Sequence, residues 1–293
     1  MNADLATDVF EEHRPLLMGV AYRMLGRVAD AEDVVQDAWL RWSGADRAEV
    51  REPRAYLVRI TTRLAIDRLR QVQARSEAYP GPWLPEPYLT EFGDTVPDTA
   101  DRAVLADTVS LAVLVVLESL SPLERAVFVL REAFGYPYAE IATLLDRGEA
   151  AVRQLAGRAR RHVAERRPRY EVDPAQRRDL TERFLAAAGD GDLEGLMSLL
   201  APDVRLVGDS GGKAKAPVRT LHTADKVGRF LVGAARTAPA LSFRFLEVNG
   251  GPAVLALAGD KPDSLFQVDV ADGRVSTLYV VRNPDKLRHL VER

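Results

Sequence analysis

Two arginine-rich stretches, residues 56–75 and 149–169, carry the side chains of this 293-residue chain that are best suited to binding phosphate. A guanidinium group is planar and donates two parallel hydrogen bonds, which matches the oxygens of a phosphate. Both stretches have helical periodicity, so each is expected to present its charges along a helix. The net charge of −3 is no obstacle, because a nucleic-acid backbone responds to the local field of a helix. The sequence therefore predicts two contacts with nucleic acid.

The second stretch follows the pattern of a helix-turn-helix motif. Periodicity predicts helices over residues 138–145 and 149–163, joined by a short turn that begins at Asp146, with Val152 and Leu155 facing inward. An ordinary helical hairpin has the same spacing. Seven arginines are opposed by only two glutamates, an excess that favours a DNA-facing helix. The arginines are Arg153, Arg158, Arg160, Arg161, Arg166, Arg167 and Arg169, and the glutamates are Glu149 and Glu165.

The first stretch belongs to a helical block that spans about residues 8–77. Apolar residues recur at three- and four-residue steps over 16–25, and the acids of residues 30–33 suit the first turn of a second helix. A third helix is expected after Pro53, because proline is favoured at a helix start. Trp39 lies on the second helix, where it serves either the core or a surface that binds a partner.

Prolines, glycines and acidic residues dominate residues 79–99 and forbid a helix there. This segment is predicted to be a linker. Its Trp83 and Leu84 are unusual, since a solvated tether has little use for large apolar side chains. They either anchor the linker on the nearest domain or form a docking strip for another domain.

After Pro168 the pattern changes to that of an α+β domain. Alternation over residues 241–245 and the turn residues at 249–251 and 271–273 support β-hairpins. Two or three helices on one bent antiparallel sheet would form a cone with an apolar mouth. The predicted helices are 174–188, 193–200 and 223–236, and the predicted strands are 204–208, 218–222, 241–248, 253–258, 265–270 and 274–282.

Five side chains of this domain are candidates for acid–base chemistry, but no pair has a spacing diagnostic of a catalytic dyad. They are Asp203, Asp209, His222, Asp269 and Tyr279. The chain has no cysteine and four scattered histidines, so no metal site and no cofactor are expected. The longest uncharged apolar run, residues 108–117, is too short to span a bilayer, and no signal peptide is recognised. A cytoplasmic protein that does not contact a membrane is therefore expected.

Several segments, in matching order, resemble the sigma factors of the extracytoplasmic-function type. Residues 30–40 are similar to the helix that docks on the clamp of RNA polymerase. Residues 55–60 and 64–70 resemble the segment that opens and reads the −10 promoter element. Residues 117–131, with the helix-turn-helix after them, resemble the domain that reads the −35 element. Asp146 stands where the family usually has a turn glycine. Aspartate accepts a left-handed backbone at modest cost.

The rest of the chain resembles the SnoaL-like cone fold of the nuclear transport factor 2 superfamily. A sigma factor with this extension resembles the SigJ-like subgroup, which is marked by three motifs. Here the motifs are Trp83-Leu-Pro-Glu-Pro87, Asp209-Ser-Gly-Gly-Lys213 and Asn283-Pro-Asp-Lys-Leu287. Ser210 stands where the second motif usually begins its glycines.

The resemblance implies a multidomain protein with two all-α sigma domains and a C-terminal α+β cone of the SnoaL-like type. Residues 1–76 would form the sigma region 2 domain, 77–100 a Pro-rich linker, 101–169 the sigma region 4 domain with the helix-turn-helix, and 170–293 the SnoaL-like regulatory domain.

The resemblance also implies site residues. The −10 set is Arg59, Arg63, Asp67, Arg68 and Arg70. In the −35 set, Glu149, Arg153 and Gln154 would reach base edges, while Arg158, Arg160 and Arg161 would meet phosphates. The polymerase-binding set is Asp33, Gln36, Asp37, Trp39 and Leu40. The regulatory set is Trp83, Leu84, Pro85, Glu86 and Pro87 in the linker, with Asp209, Gly211, Gly212, Lys213, Asn283, Pro284, Asp285, Lys286 and Leu287 in the cone.

The implied function is promoter recognition and transcription initiation, with core RNA polymerase and promoter DNA as partners and no catalytic role. The cone would pack near residues 83–87 and regulate the placement of the two DNA-binding domains. A small ligand in the cone is a further expectation. The alternative is a SnoaL-like enzyme fused to a DNA-binding module.

Overall fold

The computed structural model describes residues 3–46, 50–76, 79–90, 110–166, 174–237 and 240–291. The chain forms two compact units, one of Met1–Glu77 with Phe92–Arg167 and one of Ala78–Glu91 with Pro168–Arg293. The predicted linker is thus divided, and its first part belongs with the C-terminal domain. The rest of that linker, the first nine residues of the predicted region 4 domain and its last arginines lie outside the described residues.

The first part of the helical unit is a bundle of α1 (Ala3–Leu25), α2 (Val28–Ser43) and α3 (Pro53–Ser76). Apolar residues at helical spacing on α2 give it one buried stripe, and the three helices pack on one another through such stripes. Trp42 is almost fully buried, and its indole N–H donates to the carbonyl of Ala6 at 2.9 Å. This bond satisfies the one polar atom of a large core side chain.

The second part contains α4 (Leu111–Leu117), α5 (Pro122–Phe128), a π-helical turn (Val129–Ala133), α6 (Tyr138–Leu145) and α7 (Glu149–Arg166). A capping box between Ser121 and Glu124 begins α5. Asp146 ends α6 in the left-handed conformation, with φ 55° and ψ 55°, as its short polar side chain allows. Helices α6 and α7 thus form the predicted helix-turn-helix. Leu155 is only partly buried, and Ala156 faces inward with Val152 instead.

The two helical parts share an interface between α1 or α3 and the segment from α5 to α6. Two buried arginines lie there. The Nε–H of Arg125 donates to the carbonyl of Arg23 at 3.0 Å, and the guanidinium of Arg23 lies over the ring of Phe134. Arg54 lies in the same way over Tyr136. The two all-helical domains therefore pack as one body.

The C-terminal domain places three helices on one mixed sheet of strand order β2-β1-β6-β5-β4-β3. The helices are α8 (Pro174–Asp190), α9 (Leu193–Leu199) and α10 (Ala224–Thr237). The strands are β1 (Leu200–Asp209), β2 (Leu221–His222), β3 (Ser242–Val248), β4 (Gly251–Ala258), β5 (Lys261–Ala271) and β6 (Arg274–Val281). Two short 3₁₀ helices, Pro284–Lys286 and Arg288–Leu290, follow β6.

Strands β3 to β6 form an antiparallel meander, but β1 pairs with β6 in parallel, so the expectation of an antiparallel sheet was wrong for this pair. The reason is the long connection through α10, which returns the chain to the far edge of the sheet and brings β6 back alongside β1. One face of the sheet packs on the helices, with Leu206, Val268 and Leu278 meeting Phe184 and Leu231 in the core.

Candidate functional site

The predicted −35 residues all lie on α7, and three of their arginines form ion pairs within the domain. Arg153 pairs with Glu149 at 2.5 Å, Arg158 with Glu124 at 2.8 Å and Arg160 with Glu132 at 2.7 Å. These arginines stay about half exposed or more, so their remaining N–H groups face solvent. Gln154 and Arg161 are also exposed. The helix therefore presents a row of partly fixed donors.

The acidic partner of Arg158, Glu124, is itself held by hydrogen bonds. Although burial raises it, hydrogen bonds from Ser121 and Arg158 bring the pKa of Glu124 below its ordinary value. The same Glu124 caps α5, so one carboxylate both begins that helix and holds an arginine of α7. The link fixes the position of Arg158 relative to the domain core.

The predicted −10 residues line α3 unequally. Arg63 is exposed, and Arg59 lies over the ring of Tyr56. Arg70 and Asp67 form an exposed pair at 3.1 Å. Arg68 differs from the others, because its Nη2 lies 2.6 Å from the carboxylate of Asp30 on α2. The hydrogen bond that Arg68 donates to Asp30, together with the negative charge of Asp30, raises the pKa of Arg68. Arg68 thus joins two helices of the bundle.

The predicted polymerase-binding residues form a mixed surface on α2. Gln36 and Asp37 are exposed, and Asp33 is mostly exposed although it also lies 3.3 Å from Arg68. Leu40 is 60% exposed, which is unusual for so large an apolar side chain. Trp39 is only partly buried and packs edge-on against Phe10 at 5.1 Å. It thus serves the core and the surface together.

The linker and the C-terminal domain meet at the carboxylate of Asp209, which is fully buried. Its Oδ1 accepts hydrogen bonds from the Tyr79 hydroxyl at 2.5 Å and from the Gly211 amide at 3.1 Å. Its Oδ2 accepts from the Leu84 amide at 2.8 Å and from Lys286 Nζ at 2.7 Å. Four donors thus satisfy one buried anion, as a buried charge requires.

Lys286 contacts both Asp209 and the linker. Its Nζ donates to the carbonyl of Leu84 at 2.5 Å and lies 3.1 Å from the centroid of the Trp83 ring. The residue is 3% exposed, so this ammonium exchanges water for a carboxylate, a carbonyl and an aromatic face. We call the linker residues 79–90 the anchor segment, because these contacts fix them to the domain.

The rest of the anchor segment is held by the backbone and by His289. Leu89 forms an antiparallel bridge with Val248 at the edge of the sheet, and the Asn249 amide donates to the carbonyl of Tyr88 at 2.9 Å. His289 places one ring nitrogen 2.6 Å from the carbonyl of Pro87 and the other 3.3 Å from the carboxylate of Glu86. Pro85, Glu86 and Pro87 are buried.

The loop after β1 needs two glycines and not three. Gly211 and Gly212 have positive φ angles of 57° and 72°, whereas Ser210 does not. A Cβ on Gly211 would lie 2.4 Å from Asn283 Nδ2, so side-chain space is also lacking there. Lys213 forms an ion pair with Asp285 at the surface. Pro284 opens the 3₁₀ helix that carries Lys286, and Leu287 behind it is fully buried.

Two of the acid–base candidates come together on the sheet. The Tyr279 hydroxyl donates to the carboxylate of Asp269 at 2.9 Å. Burial raises the pKa of both groups, although nearby Arg177 and Arg205 act against this for Asp269. Asp203 and His222 are exposed, and Asp209 is engaged by the anchor segment. Asp269 and Tyr279 thus form a buried hydrogen-bonded contact of the kind found in protein cores.

Sequence reasoning missed Tyr79, Asn249 and His289, which hold the anchor segment from outside the three motifs. The only signal for Tyr79 is its place four residues before Trp83 in the chain. Among the described residues, no group of histidines and carboxylates is arranged to hold a metal ion. In that same part of the chain, no helix has the length and apolarity needed to cross a membrane.

Comparison with known proteins identifies the two helical domains. The family "Sigma-70 region 2" matches residues 9–75, and the family "Sigma-70, region 4" matches residues 110–163. The chain is 42% identical over 288 residues to the ECF RNA polymerase sigma factor SigJ of Mycobacterium tuberculosis, with 94% of this chain and 91% of that protein covered. It is 34% identical over 297 residues to the probable ECF RNA polymerase sigma factor SigI of the same species, with 97% and 95% covered.

A solved structure supports the same assignment. The crystal structure of the extracytoplasmic function sigma factor SigJ of Mycobacterium tuberculosis matches with a TM-score of 0.76 at 39% sequence identity. The match covers 96% of this chain and 98% of that one, so it includes the C-terminal α+β domain.

Proposed function

Since the chain belongs to the extracytoplasmic-function sigma factors, which direct RNA polymerase to promoters, we propose that its C-terminal domain regulates initiation by holding the anchor segment. The observation that carries this proposal is the buried Asp209, which accepts hydrogen bonds from Tyr79 and Leu84 of the linker and from Lys286 near the C-terminus. The linker joins the two DNA-binding domains in sequence. Whatever holds it therefore restricts how far these domains can separate.

We assign promoter reading to α3 and α7. Arg59, Arg63, Asp67 and Arg70 are accessible on α3 for the −10 element, where arginines neutralise phosphate while a base is flipped from the melted strand. Arg68 is committed to Asp30 and in our view supports that surface from behind. On α7 the −35 residues are Glu149, Arg153 and Gln154 for base edges, with Arg158, Arg160 and Arg161 for phosphates.

We assign polymerase binding to the surface of Asp33, Gln36, Asp37, Trp39 and Leu40. An exposed leucine ringed by polar and acidic side chains matches the apolar centre and polar rim of a protein interface. Binding to RNA polymerase implies a cytoplasmic location.

The packed helical unit has to open for promoter recognition. The positions in their names place the −35 and −10 elements about 25 base pairs apart, or roughly 85 Å of duplex at about 3.4 Å per base pair. Helices α3 and α7, laid end to end, would span about 63 Å, yet α3 packs directly on the region 4 domain. Both elements therefore cannot be read from this arrangement. We propose that it is the arrangement of the free factor and that polymerase binding separates the domains.

The interface between these domains suits such opening. Arg23 is 2% exposed and Arg125 is fully buried, so two guanidinium groups are removed from water when the domains close. Opening returns both to solvent, which offsets part of the lost packing. A few kcal/mol of binding free energy from a partner can therefore shift this interface from its closed to its open state.

We also propose a site for a small polar ligand in the C-terminal domain. Within the described part of the protein, Oε1 of Gln267 and Nε of Arg177 are buried and have no hydrogen-bond partner. The two side chains are neighbours, since a Cβ on Gly251 would lie 3.0 Å from Arg177 Nη1 and 3.1 Å from Gln267 Nε2. An unpartnered acceptor and an unpartnered donor on neighbouring side chains suit a small molecule with both functions. Catalysis is not favoured, since Asp269 is already paired with Tyr279.

Run-off transcription with core RNA polymerase on the gene's own upstream region tests the proposal. Full-length protein should support initiation there and not on an unrelated template. A variant that ends at residue 282 lacks Lys286 and should give more transcript, because the anchor segment is released. The regulatory proposal fails if this variant and the full chain give equal transcript at equal polymerase occupancy.

A further inference from the structure

We infer that Tyr138, the first residue of α6, positions the arginines of α7 and thereby sets base selectivity at the −35 element. The inference rests on the proposed assignment of α7 to that element. We call α7 the reading helix. Tyr138 lies on α6, the helix before it, so it acts on base selectivity indirectly, as a positioning residue.

The aromatic ring of Tyr138 holds two guanidinium groups. The Cζ atoms of Arg131 and Arg153 each lie 4.8 Å from the ring centroid, well within the range of cation–π contacts. Arg131 is fixed in turn, because its Nη1 donates to the carbonyl of Tyr136 at 3.0 Å. The ring is thus set in the domain, and Arg153 of the reading helix rests on it.

The same side chain reaches a second arginine of α7. The hydrogen bond to Glu132 is the main cause that raises the pKa of Arg160, and the Tyr138 hydroxyl contributes in the same direction. Arg153 and Arg160 are seven residues apart, which is two helical turns, so they share one face of α7. Tyr138 therefore contacts Arg153 and acts electrostatically on Arg160, which lies on the same face of α7.

These contacts fix the Arg153 side chain and leave part of its guanidinium group available for DNA. Glu149 accepts from its Nε at 3.1 Å and from its Nη2 at 2.5 Å, while the ring supports the flat side of the guanidinium. Among the described residues, Nη1 of Arg153 has no hydrogen-bond partner, and the side chain is 61% exposed. An arginine fixed in this way loses less rotamer freedom when it donates to a guanine, so it binds the correct base more tightly.

The test compares Tyr138→Ala, Tyr138→Phe and the matched control Glu140→Ala, which removes an exposed side chain from the same helix. Each full-length variant is combined with core polymerase, and the holoenzyme is titrated against promoters that carry every single-base change in the −35 element. The slope of affinity against salt concentration is measured in parallel, because it counts phosphate contacts.

We expect Tyr138→Ala to lower discrimination between the best and the mismatched −35 bases by about 5- to 10-fold, with a salt slope close to wild type. Tyr138→Phe keeps the ring and should retain most of the discrimination, and Glu140→Ala should retain all of it. An unchanged base profile in Tyr138→Ala would overturn the inference. Uniform loss for all bases would overturn it too, since that result indicates a structural role.

If urea titration shows that Tyr138→Ala is unfolded, Tyr138→Leu takes its place, because leucine fills the site without a π face. If the wild-type holoenzyme itself shows no base preference at the −35 element, the assignment of α7 fails and the inference falls with it. That failure is distinguishable, because it is visible before any variant is compared.

Discussion

Replacing Lys286 with methionine is expected to open the anchor segment without unfolding the C-terminal domain. The Lys286 ammonium is buried against Asp209 and the carbonyl of Leu84, and removing one partner of a buried ion pair costs about 3–5 kcal/mol. Asp209 would keep its hydrogen bonds from Tyr79 and Leu84, so we expect the lower end, about 3 kcal/mol.

Hydrogen exchange of the full chain measures this loss. A drop of about 3 kcal/mol in the free energy of local opening speeds amide exchange by about 100-fold. The informative amides are those of Leu84, Tyr88 and Thr90, which donate to Asp209, Asn249 and the carbonyl of Glu247. Amides in β4, β5 and β6 should exchange as in wild type.

The matched control is Lys213→Met, the same substitution in an ion pair at the surface. Lys213 and its partner Asp285 are 52% and 40% exposed, and such pairs contribute less than about 1 kcal/mol. Exchange that rises equally in both variants, or rises throughout the C-terminal domain, would refute the reasoning. If the anchor segment alone opens but run-off transcription stays at the wild-type level, the structural argument survives and the regulatory proposal does not.

Four other substitutions test the remaining parts of the proposal. Leu40→Asp should weaken binding to core polymerase by about 10-fold or more in a pull-down titration, with unchanged thermal stability, since Leu40 is exposed. Arg63→Ala should impair promoter opening without affecting stability, whereas Arg68→Ala should lower the free energy of unfolding by about 1–3 kcal/mol in urea, because it leaves Asp30 buried without its main partner. Burial raises the pKa of Asp269, so the folded protein holds a proton at pH values where the unfolded chain has lost it. The free energy of unfolding therefore falls as pH rises above the ordinary range of aspartate. Asp269→Asn should remove this part of the pH dependence in thermal melts.

The helix-turn-helix was predictable from sequence because its signals are local. The bounds of α6 match the prediction, and Asp146 takes the left-handed conformation expected of it. The pairing of β1 with β6 was not predictable, since the alternation in a strand says nothing about its neighbour. The ion pairs that hold Arg158 and Arg160 were also missed, because their partners lie 34 and 28 residues earlier in the chain.

The anchor segment was predictable only in part. The two large apolar residues Trp83 and Leu84 left two interpretations open, and the structure places them against the C-terminal domain. The central role of Asp209 could not be read from the sequence alone, because three of its four donors come from distant segments of the chain. Composition predicts that a segment is buried, but the burial partner is set by the tertiary fold.

The distance along the chain between Leu84 and Lys286 has a consequence for protein synthesis. These residues are 202 positions apart, so Leu84 is synthesised long before Lys286. At about 5–20 residues per second, the interval is roughly 10–40 s. A newly synthesised chain therefore exposes both DNA-binding domains before Lys286 can hold the anchor segment. A chain whose translation stops before residue 286 would never form this contact.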